Sequence, residues 1–160
     1  MPFTVHAARS VVRNTIILAH NIVVVVVVFV IMGVHMSLYS LFAIPAFGLW
    51  LIDAFAISLL FGAFCARFRD VPQIIMSVMQ IAFFVTPIMW YAKILESHPE
   101  ADLLIRFNPF FYILEIVRGP LLGTPLALDI VLKALIVSAT LIIVAAIGFA
   151  RTRGRIAYWV

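Results

Sequence analysis

From Asn14 to Ala66 the chain runs 53 residues with one charged side chain, Asp53. A soluble domain needs a charged face to stay in water, and a stretch of this length offers none. As one continuous helix it would extend roughly 80 Å at 1.5 Å per residue, against a bilayer hydrocarbon core about 30 Å thick. Two crossings and a turn fit that length, and "GVHMSLYS" (Gly33 to Ser40), with its glycine and polar residues, supplies the turn. Six consecutive valines, Val23 to Val28, favour a strand in water. In hydrocarbon an unpaired strand edge leaves backbone groups without partners, so helix is expected there too.

The rest of the chain agrees with a lipid surrounding. Of 160 residues, 66% are hydrophobic and 11% charged, where a soluble protein is roughly half apolar and a quarter charged. The net charge of +4 does not point to nucleic acid, because the basic residues sit at the ends of apolar runs and form no stripe interleaved with exposed aromatics. Cys65 is the single cysteine, which excludes an internal disulfide. The first apolar run continues too far for a signal peptide and shows no small-residue cleavage site.

A third crossing is expected over residues 71–91, about 33 Å of uncharged helix between Val71 and Ala92, with Pro72 in its first turn and Pro87 near its far end as a kink or early stop. A fourth is expected over 126–150, where Lys133 can snorkel to the headgroups. The first two spans are placed at 14–34 and 40–64. With both termini cytoplasmic, Arg9, Arg13, Arg67, Arg69, Arg151, Arg153 and Arg155 lie inside, against Lys93, Arg106, Arg118 and Lys133 outside. Seven against four favours that orientation. Residues 65–70 then form a cytoplasmic turn anchored by Arg67 and Arg69, and Asp70 is expected to cap the third helix by accepting from the Gln73 N–H.

Between the third and fourth spans lies "IRFNPFFYILEIVRGPLLGTP". Asn108 reads as an N-cap, Pro109 as the first helical position and Gly119-Pro120 as a stop. The enclosed apolar run makes only about half a bilayer of helix. Glu115 and Arg118, spaced i,i+3, can pair and ease shallow burial, and Leu121 to Gly123 with Pro125 reads as a short returning element. The expected fold is therefore all-α and integral to the membrane: four transmembrane helices plus a re-entrant helical hairpin, residues 107–124, before the last span. The alternative is an interfacial amphipathic helix.

Three polar residues lie within the spans. Asp53, mid-span, costs some 2.5–3.5 kcal/mol to insert and so must face water or the bundle interior. It either lines a path or binds a cation, or it is a hydrogen-bonded group joining two helices. His20 and Asn21 sit only about 10 Å inside Arg13, so a direct pair with Asp53 would need a depth offset to close. The four histidines are dispersed without ligand spacing, which argues against a metal site, and no nucleophile has a base at hand. Aromatics such as Phe83, Trp90 and Phe110 gather toward the outer end, as an aromatic belt would.

Taken in order, "ARFRDVPQI", "FFVTPIMW", "FNPFFYILEIVRGPLLG" and a last apolar helix ending "FARTRGRIAYWV" resemble the membrane subunit of type-2 ABC exporters of polysaccharide, the lipopolysaccharide O-antigen and teichoic acid export family. "SVVRNTIILAHN" (Ser10 to Asn21) resembles the start of that family's third span. Members have six spans and an N-terminal amphipathic helix, so the resemblance implies that residues 1–160 form one permease domain corresponding to the C-terminal part of a six-span permease. It also implies a transmembrane channel built from two copies, a separate ABC ATPase docked on the cytoplasmic side, and a lipid-linked polysaccharide as cargo, in a bacterial inner membrane. No GxxxxGK[ST] phosphate loop is present, so the chain is expected to be no enzyme and to bind no cofactor, with ATP and Mg used by the partner. The segment holding Arg9 and Arg13, and the turn with Arg67, Arg69 and Asp70, fall on the ATPase side. Asn108, Pro109, Glu115 and Arg118 fall in the outer gate. Two alternatives stay open: the same architecture with a drug, ion or other lipid as cargo, and a membrane subunit without transport.

Overall fold

A computed structural model describes residues 3–33, 38–88, 105–152 and 154. Within them the chain is helical and without strands: α1 (Phe3–Ile31), a 3₁₀ helix (Leu38–Phe42), α2 (Ala43–Arg67), α3 (Val71–Val85), α4 (Pro109–Leu121) and α5 (Leu128–Thr152). The valine run lies inside α1, and every one of Val23 to Val28 is exposed. That is the arrangement of a helix whose side chains meet lipid and whose backbone is satisfied within the helix. α1 begins well before residue 14, so Arg9 and Arg13 are carried on the same helix as the first apolar run. It ends at Met32-Gly33, where Gly33 takes φ +65, a conformation that suits glycine.

Among the described residues three segments are long and apolar enough to cross a bilayer: Thr4–Ile31, Leu38–Arg67 and Leu128–Thr152. α3 is shorter, 15 residues or about 22 Å. It stops at Thr86, whose backbone is extended (ψ 133) because Pro87 disfavours the helical region for the residue before it. The expected third span, 71–91, is thus helical only to Val85, and residues 89–91 lie outside the described part.

The turn between α2 and α3 is tighter than expected. α2 runs on to Arg67, Phe68 is extended, and its N–H closes onto the Phe64 carbonyl. Asp70 occupies the N-cap position of α3 but its side chain accepts no capping bond; its backbone carbonyl receives the Ile74 N–H at 3.3 Å. The expected bond to Gln73 fails because Asp70 itself adopts helical dihedrals (φ −87, ψ −17), whereas a capping residue sits in the extended region.

α2 is the central helix, packed on α1, α4 and α5. Its contact with α5 is made of small residues: Ala56 and Ala63 on α2, with Ala134, Ser138 and Ala145 on α5, all buried. Spacings of four and seven keep each set on one helix face. Small side chains let the two backbones approach, which is how helices associate when lipid offers no hydrophobic incentive. Gly148 belongs to the same seam, where an added Cβ would stand 3.0 Å from a Leu60 methyl.

Candidate functional site

Two clusters of polar contacts hold the bundle together, one at mid-span and one around α4. At mid-span Asp53 is 3% exposed, and its Oδ2 accepts from the Ser138 hydroxyl at 2.6 Å. Its other oxygen, Oδ1, is buried without a hydrogen-bond partner among the described residues. Asp53 thus faces α5 inside the packed seam. Serine reaches it because Ser138 stands on the small-residue stripe of α5, four residues from Ala134 and seven from Ala145. His20 and Asn21 are exposed on α1 and not part of this contact; His20 Nδ1 lies 2.8 Å from its own helix's Ile16 carbonyl.

The geometry favours the helix-joining reading of Asp53, and a double-mutant cycle measures it. Asp53→Ala, Ser138→Ala and the double variant are expected to give a coupling energy of about 0.6–2 kcal/mol, the size found for hydrogen bonds between membrane helices. The readout is unfolding in mixed detergent micelles. A coupling near zero would mean that the 2.6 Å contact contributes nothing.

The second cluster is built on α4. Asn108 caps the helix as expected, its Oδ1 accepting from the Phe110 N–H at 3.0 Å, with Pro109 in the first turn and exposed. The Asn108 amide does a second job that the cap alone does not require: Nδ2 donates to the Thr86 hydroxyl at 2.9 Å, with both residues buried. Ten residues along α4, Arg118 Nη1 donates to the Pro87 carbonyl at 2.8 Å. Two residues of one sequence motif, "FNPFFYILEIVRGPLLG", therefore grip two adjacent residues of another, "FFVTPIMW". On the opposite side Trp50 Nε1 donates to the Ile113 carbonyl at 2.6 Å and Ser40 Oγ to the Pro120 carbonyl at 3.0 Å. Tyr112, Ile116 and Val117 fill the space between, against Ala134, Leu49 and Trp50.

Two expectations are corrected here. The i,i+3 pair of Glu115 with Arg118 does not form: Arg118 turns to Pro87, and the ion pair seen between two described residues is Lys133 with Asp129 at 2.8 Å. A backbone carbonyl at the end of α3 competes successfully because the guanidinium is long enough to leave its own helix. Nor does Gly119-Pro120 end the helix. α4 passes through Pro120 to Leu121, since a missing N–H is tolerated in a last turn that other donors close. The Leu122 N–H meets the Arg118 and Gly119 carbonyls, the Thr124 N–H and hydroxyl both reach the Gly119 carbonyl, and Gly123 takes φ +75. The short returning element is a turn followed by non-helical residues 124–127 leading into α5, so α4 is one helix.

At the α2–α3 turn the Arg67 guanidinium lies 5.2 Å from the centre of the Phe68 ring, and Arg69 and Asp70 are exposed. Arg9 and Arg13 are exposed on α1. No group of three or more His, Cys, Asp or Glu that could hold a metal occurs among the described residues. Thr86, Ser138, Trp50 and Ser40 are hydrogen-bond partners that sequence reasoning did not single out; only the "VTP" triplet before a proline carried a local signal, that a helix ends there.

A chain whose described residues are helical, with three bilayer-length apolar helices among them and buried polar ties between helices, is an integral membrane protein. Residues 1–122 match the family model described as ABC-2 type transporter, and the chain belongs to that family. It is accordingly a membrane component of a transporter and not itself the ATPase, and membership implies an ABC ATPase subunit as partner. No curated protein and no solved structure matches the chain.

Proposed function

We propose that the chain is the channel-forming subunit of an ATP-driven exporter that moves a lipid-linked polysaccharide across the bacterial inner membrane. Two copies form the path, with both termini and the Arg67–Asp70 turn on the cytoplasmic side. α1, α2, the 71–91 segment and α5 make the crossings. The ATPase docks beside Arg9, Arg13, Arg67, Arg69 and Asp70, and uses ATP and Mg there. α4 is the re-entrant outer gate, with Asn108, Pro109, Glu115 and Arg118 as its working residues.

The observation that carries this reading is α4 itself. Its 13 residues make about 20 Å of helix, too short to span, yet it is fastened by side-chain hydrogen bonds to the end of α3, to α2 and to the 3₁₀ helix. Non-spanning backbone at membrane depth is tolerated where protein or a water-filled cavity covers it, so a helix held in this way suits the mouth of a pathway. The cargo rests on the resemblance of the four sequence motifs to polysaccharide exporters.

Deleting the gene should remove glycan from the cell surface, and expression of this chain together with its ATPase should restore it. Surface glycan unchanged by the deletion would refute the cargo assignment. Restoration without any ATPase would refute the mechanism.

A further inference from the structure

At the end of the bundle away from the Arg67–Asp70 turn, a groove of about 800 Å³ runs between the 3₁₀ helix, the first half of α2, α4 and the first half of α5. Pro45, Leu49, Ile52, Ile116, Pro120 and Leu135 form its walls. The polar groups around it are turned away into backbone partners: Ser40 to the Pro120 carbonyl, Thr124 to the Gly119 carbonyl, Trp50 to the Ile113 carbonyl. Prolines 45, 120 and 125 have no N–H to offer. What remains, among the described residues, is a lining without free side-chain donors apart from the Tyr39 hydroxyl.

That chemistry selects the occupant. Water needs two to four polar partners, which the walls do not provide. A sugar needs hydrogen bonds to its hydroxyls, which the walls do not provide either. Hydrocarbon needs neither. The groove is also continuous with the surface that faces lipid, because Ile44, Leu128 and Leu132, on the same helices, are 67%, 80% and 59% exposed. At Gly48 the space is open: a Cβ added there would meet nothing within 4 Å.

We propose that this groove binds one acyl chain of a membrane phospholipid, drawn from the leaflet at the α4 end of the bundle. The chain lies against Gly48 and reaches Ile116 on α4, wedging the short helix against α2 and α5. The inference rests on the membrane location of the helices and not on the identity of the cargo.

The test uses the full chain in nanodiscs of palmitoyl-oleoyl phosphatidylglycerol that include a phospholipid bearing a diazirine midway along one acyl chain. After irradiation and digestion, adducts are expected on Ile116 and Leu49, as well as on the lipid-facing Ile44 and Leu132. Ile116 is the decisive position, since it is only 5% exposed and is reached through the groove. Gly48→Trp fills the open space and should abolish the Ile116 adduct while sparing Ile44 and Leu132; Gly48→Ala should leave all four. If Gly48→Trp does not fold, Leu135→Trp blocks the groove from the α5 wall. Labelling of Ile44 and Leu132 with none on Ile116 in the unaltered chain would overturn the proposal. So would disulfide-linked dimers of a Gly48→Cys, Cys65→Ser chain, which would show a second copy covering the groove. Neither outcome touches the exporter reading, which the surface-glycan experiment decides.

Discussion

Replacing Ala134 with leucine is expected to destabilise the protein by about 1–3 kcal/mol, the cost of forcing extra methylenes into a packed site. Ala134 has no exposed surface and stands where α5 meets both α2 and α4, in contact with the Tyr112, Ile116 and Val117 cluster. A leucine there meets α2 and α4 on two sides and otherwise has only the groove that Ala134 borders. The seam depends on close approach, because lipid solvates an exposed apolar face as well as another helix does, leaving packing and interhelical hydrogen bonds to hold the contact. Separation of α2 from α5 would also pull Ser138 away from Asp53, now 2.6 Å apart, and leave the carboxylate without its bond. The control is Ala19→Leu on the exposed part of α1, expected to fall within about 0.5 kcal/mol of the unaltered protein. Thermal unfolding in detergent distinguishes them. Equal melting temperatures for the two variants would mean that the α2–α5 seam is not tightly packed.

The solvent and the helices were legible in the sequence, because one long stretch with a single charge between Arg13 and Arg67 belongs in lipid, where a helix satisfies its own backbone. Local stops were legible where a single residue forces them, as at Pro87, Gly33 and the Asn108 cap. Partners across the bundle were not. Asp53 announces itself as a lone charge, but nothing in the spacing of Ser138 says which helix it faces, since an alanine-rich stripe on α5 reads the same in any rotation. Arg118 went astray for a related reason: an i,i+3 glutamate is visible in the sequence, whereas a free carbonyl at the end of another helix is not. Asp70 shows that residue type and position alone do not make a cap, because the backbone must also be extended there.

Cutting the tie between α3 and α4 is the second large effect expected, and it separates stability from the gating role proposed for α4. Asn108→Ala removes both the cap of α4 and the donor to Thr86, leaving a buried hydroxyl with one partner fewer; a loss of about 1–3 kcal/mol is expected. Asn108→Ser keeps a capping oxygen but is too short to reach Thr86, and Thr86→Val removes the tie from the other side while preserving the cap. If the tie matters apart from the cap, Asn108→Ser and Thr86→Val should both reduce export with the protein still present in the membrane at its normal level, and their combination should be no worse than either alone. Arg118→Met should act in the same direction, because it abandons the Pro87 carbonyl next to Thr86. Additive losses in the Asn108→Ser, Thr86→Val pair would mean that the two residues act separately, and the 2.9 Å contact would then be no part of the proposed gate. Full export by all three variants would leave α4 as a structural plug: the tether places the helix, and only its movement relative to α3 would give these two motifs a role in transport.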